Sequence, residues 1–359
     1  MLFRSRLKSK LEKIGRNPII TAKSVGLRYS INVNNGFYRV RKGDRFEFVD
    51  ENKKKVRDKN ILERINKLVI PPAWENVWIS PYENGHLQAT GIDLKGRKQY
   101  RYHAHWNKIR NQSKFYRLRS FAKALPAIRT QVDIDLSKQG LPYEKVVALV
   151  VKLIELTNIR IGNDAYKKLY GSFGLTTLQD DHVNFRNNKI YFEFVGKKGI
   201  KHKISLESMK LANLVKRCKD IPGQDLFQYY DDNGNHRCIS SSDINNYLKN
   251  ITGEDFTAKD FRCWAGSVNA LGAFQKLAQP ETQTEFKRKV VEVLDEVSSK
   301  LGNTRTVCKK YYVHPTVIAA FEKGSIWNYK PDSKESELNE EEHALVILLE
   351  NETIAEVLG

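Results

Sequence analysis

The sequence predicts an α+β chain in which a β-rich amino-terminal domain precedes a mostly α-helical domain interrupted by a small antiparallel sheet. Three observations carry that prediction. Strand-like alternation dominates up to about residue 112, as in Arg45-Phe46-Glu47-Phe48-Val49. From about residue 113, apolar residues recur at helical spacing, as at Val147, Val150, Val151 and Ile154. Within that helical part, KIYFEFV (Lys189 to Val195) and KHKISL (Lys201 to Leu206) read as a hairpin with Gly196-Lys197-Lys198-Gly199 at its tip.

The remaining elements follow in order. Asp50-Glu51-Asn52 is a turn, and Leu62 to Leu68 is a short helix ended by Pro71-Pro72. Val77-Trp78-Ile79 and His86 to Thr90 are expected to pair across Glu83-Asn84-Gly85. Tyr143 to Tyr170 reads as one long helix, with Arg160 near its end. Helices are expected at Asp243 to Asn250, Ala258 to Phe274 and Glu285 to Leu301. Thr257 and Asp260 make a capping box for the second, Gly302 stops the third, and a last short helix follows Pro315. The division is therefore 1–112, 113–330 and an acidic tail at 331–359, with an apolar helix at Ala344 to Leu349.

The charge points to a polyanionic partner. The 359 residues carry 61 Lys plus Arg against 42 Asp plus Glu, a net +19. The segment 331–359 holds nine acids and one lysine, so the first 330 residues carry +27. Either the tail folds back on the basic body or it is a solvated end, and the second reading is preferred. Six basic residues mark the start (Arg4, Arg6, Lys8, Lys10, Lys13, Arg16) without the apolar core of a secretory signal. They read as a solvated start, with a DNA-touching arm as the alternative. No apolar run reaches 18 residues, so no membrane span is expected. Cys218, Cys238, Cys263 and Cys308 form no zinc-type spacing and suit a reducing, cytoplasmic compartment.

Five segments hold residues suited to phosphate chemistry, and each has a plainer reading. Arg97, Lys98, Gln99, Tyr100 and Tyr102 mix cations, an amide and aromatics on one strand, a pattern for groove and phosphate contact or for an ordinary solvated strand. Arg160, beside Gly162, offers a planar fork for phosphate oxygens, or an ion pair. Lys197 and Lys198 stand at the hairpin tip, where glycines permit close approach to DNA, or where lysines are simply solvated. Lys259 and Arg262 lie in the first turns of a helix, whose free N–H groups favour anions; a structural salt bridge competes. Tyr312, in Cys308-Lys309-Lys310-Tyr311-Tyr312-Val313-His314-Pro315, is a nucleophile only if neighbouring cations stabilise its phenolate; otherwise it is a packed tyrosine before a Pro-started helix.

Together the segments resemble the type IB DNA topoisomerases of the small bacterial and poxvirus kind, from about Gly43 to Gly324. The first part contributes IPPAWENVWIS, GHLQATG and GRKQYRYH; the second contributes NIRIGND, FVGKKG, TAKDFRCWAGS and LGNTRTVCKKYYVHP. The resemblance implies that Tyr312 is the nucleophile, forming a 3′-phosphotyrosyl bond and expelling a 5′-hydroxyl, and that Tyr311 is only its neighbour. It implies that Arg160 and Arg262 clamp the non-bridging oxygens and that Lys197 protonates the leaving oxygen. Asn303, nine residues before Tyr312, stands where poxvirus relatives carry His; it can donate a hydrogen bond but no charge. Arg97, Lys98, Gln99, Tyr100, Tyr102, Lys198 and Lys259 become DNA contacts. The implied partner is duplex DNA, the implied state a monomer associated with the nucleoid, and neither metal, ATP nor other cofactor is expected.

Two other classes compete. A tyrosine recombinase shares the constellation but typically shows His-x-x-Arg where this chain has Lys259-Asp260-Phe261-Arg262. A non-catalytic duplex-binding protein is opposed by the presence of Arg160, Lys197, Arg262 and Tyr312 together.

Overall fold

The computed structural model describes residues 17–30, 35–43, 45–231, 233–330 and 337–351, apart from the side chains at 111–114 and 116. The basic residues at 4–16, and the ends of the acidic tail at 331–336 and 352–359, lie outside the described residues. The chain forms two compact units, one ending at Arg117 and the other beginning at Leu118.

Helix α1 (Pro18–Ser24) opens the first unit, with Asn17 Oδ1 accepting from the N–H groups of Ile19 and Ile20. Strands β1 (Phe37–Lys42), β2 (Arg45–Val49), β3 (Glu75–Ile79), β4 (Leu87–Ile92) and β5 (Lys98–Tyr102) make one antiparallel sheet in the order β2-β1-β3-β4-β5. Asp50 closes the turn after β2 by accepting from the N–H groups of Asn52 and Lys54. Helix α2 (Lys59–Lys67), capped by Asp58, buries Ile65 with Val77, Ile79 and Ala89 of the sheet. This is the expected β-rich part with its short helices.

The second unit is mostly helical. Helix α3 (Ala104–Ser137) begins about nine residues before the pattern change read from the sequence, and the boundary between the units falls within it. It is followed by α4 (Tyr143–Thr157) and α5 (Asp164–Tyr170). The single long helix expected over Tyr143 to Tyr170 is thus broken. Asn158 takes a left-handed conformation (φ 54°) as the α4 cap, and Gly162 (φ 104°) turns the chain again. Apolar Ile159 and Ile161 continue the helical spacing through the break, which hides it from a periodicity reading.

A three-stranded antiparallel sheet follows: β6 (Val183–Arg186), β7 (Lys189–Val195) and β8 (Lys201–Glu207), in the order β6-β7-β8. Then come α6 (Met209–Lys219), the short pair β9 (Gln228–Tyr230) and β10 (His236–Cys238), α7 (Ser241–Thr252), α8 (Ala258–Gln275) and α9 (Gln283–Leu301). Gly302 ends α9 in the left-handed region, as its position predicts. Helices α10 (Arg305–Tyr311), α11 (Pro315–Glu322) and α12 (Glu340–Asn351) complete the unit.

Helix α8 is central to this unit's core. It buries Phe261, Trp264, Ala270, Leu271 and Phe274 among residues from α3, α4, α9 and α11. Helix α12 packs against it through Ala344, Leu345, Leu348 and Leu349, all buried. The solvated-end reading of the tail is therefore corrected for this helix. Glu342 is buried too, held bidentately by Arg129 (2.7 and 3.0 Å) and by the Trp264 indole N–H (2.9 Å). No helix among the described residues is long and apolar enough to cross a membrane.

Candidate active site

Four elements of the second unit bring Arg160, Arg262, Asn303 and Tyr312 together. The loop after α4 carries Arg160. It is pinned by backbone hydrogen bonds from Leu175 N–H to Arg160 O (2.8 Å) and from Thr176 N–H to Ile161 O (2.7 Å). The approach is close: a Cβ on Gly174 would stand 2.5 Å from the Arg160 carbonyl oxygen, so only glycine permits it. Arg160 then reaches across to the α9–α10 corner, donating to Gly302 O (3.1 Å) and to Asn303 Oδ1. Asn303 is fixed in turn by its own Nδ2, which donates to Leu301 O (3.1 Å).

Arg262 lies in the second turn of α8, whose start is tied by Asp260 accepting from the Thr257 N–H (2.8 Å) and hydroxyl (2.9 Å). Its guanidinium is buried and donates to Asn158 O and to Leu301 O (2.6 Å). The left-handed turn at Asn158, which the periodicity concealed, is what aims a carbonyl at Arg262. Among the described residues neither Arg160 nor Arg262 has a carboxylate within ion-pair distance. The ion-pair reading of both is thereby set aside. Each guanidinium is held by neutral acceptors, which orient it and leave its charge uncompensated. Burial lowers the proton affinity of Arg160, and the facing Arg262 lowers it further.

Tyr312 follows α10, its N–H donating to Cys308 O (2.9 Å). Its ring lies under Arg262, with the guanidinium carbon 5.0 Å from the ring centre, and its phenol is near enough to Arg160 for the two to interact electrostatically. Two neighbours on α8 make this possible. A Cβ on Gly266 would stand 3.0 Å from both Tyr312 Cβ and its carbonyl oxygen, so the glycine lets the tyrosine segment lie against the helix. Ser267 Oγ lies 3.1 Å from Tyr312 O and accepts from the His314 N–H (2.9 Å). Beyond it, the wholly buried His314 caps α11 through Nδ1, and burial drives its pKa down to about 3. Tyr311 turns elsewhere, beneath Lys310.

Lys197 stands at the β7–β8 tip, exposed, in the turn closed by Gly196 N–H to Ile200 O (2.8 Å) and Gly199 N–H to Gly196 O (3.1 Å). It lines the same cleft, of about 230 Å³, as Arg160, Arg262 and Gly302. His202 lines it as well and was not singled out from the sequence; a lone histidine on an alternating strand carries no local signal. Gly266, Ser267 and Gly302 likewise support the site only through tertiary contact. Lys198 at the tip (φ 67°) and Lys259 on the first turn of α8 are both exposed.

The strand residues expected to touch DNA lie in the first unit. Arg97 and Gln99 are both committed to Asp93, through contacts of 2.6–2.7 and 2.9 Å. Lys98, Tyr100 and Tyr102 share the other face of β5, the two rings stacked at 5.9 Å and 10° and Lys98 Nζ 5.9 Å from the Tyr100 ring centre. Among the described residues no group of His, Cys, Asp and Glu gathers as metal ligands would.

Two arginines beside a tyrosine, on a helical domain preceded by a β-rich one, form an arrangement suited to holding an anion such as a phosphate. The catalytic-core model of eukaryotic DNA topoisomerase I matches residues 103–339, and that of the bacterial DNA topoisomerase IB N-terminal domain matches 45–93. The chain belongs to the type IB DNA topoisomerase family, enzymes that cut and rejoin DNA. It is 32% identical over 286 residues to the DNA topoisomerase 1B of Acanthamoeba polyphaga mimivirus, covering 77% of this chain and 85% of the relative. It is 21% identical over 235 residues to the DNA topoisomerase 1B of vaccinia virus (strain Copenhagen), covering 64% and 70%. The DNA topoisomerase I of monkeypox virus is also 21% identical, over 232 residues.

Proposed function

We propose that this chain relaxes supercoiled duplex DNA through a 3′-phosphotyrosyl intermediate made by Tyr312. The observation that carries the reading is the convergence of Arg160 and Arg262 on Tyr312 with no carboxylate partner among the described residues. The Tyr312 oxygen attacks the scissile phosphorus, its proton passes to solvent water, and the bond to the 5′ oxygen breaks. The attack places added negative charge on the non-bridging oxygens, where two preoriented guanidinium groups stabilise it without reorganising. Lys197 gives its proton to the departing 5′ oxygen. Asn303 orients Arg160 through its amide oxygen, a role its present hydrogen bonds support directly.

The phosphotyrosine keeps the energy of the broken bond, so the free 5′-hydroxyl reseals the strand without ATP after rotation about the intact strand. Cation chemistry from side chains supplies what a metal otherwise would. Lys98, Tyr100 and Tyr102 of the first unit, with Lys198 and Lys259, are the proposed DNA contacts. Arg97 and Gln99 would contribute only by leaving Asp93. Both units contribute contacts to the duplex, and the chain works as a monomer.

Supercoiled plasmid incubated with the protein, without ATP and with excess chelator, tests the reading. Relaxation by the parent and none by Tyr312→Phe is the expected result. Unchanged plasmid with retained binding would identify a non-catalytic binder; activity restricted to particular sites and multimers would identify a recombinase.

A further inference from the structure

His202 sits on the last rung but one of the hairpin before its tip, paired with Phe194, and Lys201 with Val195 makes the last rung. β8 is an edge strand, so on that side the tip is held by side chains rather than by a further strand. The His202 ring stacks on Phe194 at 5.0 Å and 18°. Its two edges face two glycines. A Cβ built on Gly196 would fall 2.7 Å from its Cδ2 and Nε2, and one built on Gly302 would fall 2.4 Å from its Cε1. Gly196 immediately precedes Lys197. Gly302 is the corner that accepts from Arg160 and precedes Asn303. The imidazole is therefore a spacer between the tip that carries the lysine and the corner that holds the arginine.

We propose that His202 is a positioning residue, a wedge between Gly196 and Gly302 that sets where Lys197 is delivered over Arg160 and Arg262. Its ring is half-buried, and burial together with the charges of Arg160 and Arg262 holds it below the usual histidine pKa, so it spaces the site as a neutral group. The proposal rests on the reading of Lys197 as the acid. A general acid must lie within hydrogen-bond reach of the oxygen it protonates, and a misplacement of about 1 Å costs roughly 10²-fold in rate.

Single-turnover cleavage of two duplexes tests it, one with the natural 5′ bridging oxygen and one with sulfur there, which leaves without a proton. The variants are Lys197→Ala, His202→Ala, Gly196→Ala and the double variant His202→Ala with Gly196→Ala. Gly196 has φ −95°, open to any residue, so its alanine acts by pushing the ring. His202→Ala is expected to slow oxygen cleavage roughly 10²-fold, with duplex affinity and melting temperature near the parent, and to be rescued by sulfur as Lys197→Ala is. Gly196→Ala should show the same sulfur-rescued defect, and the double variant should be no worse than His202→Ala alone, since the pair acts through one contact.

If Lys197→Ala is rescued and His202→Ala is not, the wedge is wrong and the acid assignment stands. Additive losses in the double variant also overturn the wedge. If sulfur fails to rescue Lys197→Ala itself, the acid assignment falls, and the wedge falls with it.

Discussion

Half-buried Arg160 and buried Arg262 are held in a manner unusual for such cations, since backbone carbonyls and one amide accept from their terminal N–H groups, the Arg262 Nε–H has no acceptor, and among the described residues no carboxylate pairs with either. Burying charge without a counterion is costly, and an anionic substrate is the partner that repays it. Tyr312→Phe removes only the hydroxyl, so relaxation and the covalent adduct should vanish while duplex affinity stays near the parent. Tyr311→Phe should be mild, because Tyr311 lies under Lys310 rather than under the arginines. Gel relaxation and filter binding check both. Lys197→Ala should slow oxygen cleavage by about 10²- to 10⁴-fold, the usual worth of a general acid. Sulfur at the leaving position should restore Lys197→Ala far more than Arg262→Ala, because the role proposed for Arg262 is on the non-bridging oxygens; equal rescue of both would make Lys197 a phosphate anchor.

At the scale of elements, the strands, the hairpin and the cap of α8 were legible because each is a local signal: alternation, a glycine-flanked tip, Thr257 with Asp260. The break after α4 was not, because Ile159 and Ile161 keep the apolar spacing while Asn158 and Gly162 turn the backbone. The aim of Arg262 depends on that break, so the sequence named the residue without revealing what orients it. His202 was invisible for a related reason: its partners Gly196 and Gly302 meet only in the folded chain. The helix at Ala344 to Leu349 was legible, but its docking was not, because the acids around it suggest a solvated end while Ala344, Leu345, Leu348 and Leu349 form one buried face. Burial raises the Glu342 pKa, but hydrogen bonds from Arg129 and Trp264 outweigh this and hold it below the ordinary value of 4.5. A depressed folded pKa stabilises the protein above the unfolded value and loses that contribution as pH falls through the folded one. Stability should therefore drop more steeply below about pH 4.5 in the parent than in Glu342→Gln. At neutral pH, Glu342→Ala should cost about 2 kcal/mol, since it leaves the Trp264 indole N–H without its acceptor and removes one of the two carboxylates on Arg129, which keeps Glu155. Denaturant titrations at pH 7 and below check both, and equal stability of parent and Glu342→Ala would refute the anchoring of α12 through Glu342.

At the scale of the whole molecule, the first 330 residues carry +27, a field suited to displacing the cations condensed on a duplex. Six phosphate contacts would give a log-log slope of affinity on salt of about −5. A flat response would show that the basic surface is not where DNA lies. The central claim is chemical, and mapping the covalent adduct tests it most directly. A duplex labelled on the 3′ side of the nick and another labelled on the 5′ side are each cleaved, quenched with detergent and digested, and the linked peptide is sequenced. The account expects the DNA to be attached through its 3′ phosphate to Tyr312, with a free 5′-hydroxyl on the other fragment. Attachment at Tyr311, linkage through a 5′ phosphate, or cleavage with no adduct at all would contradict it.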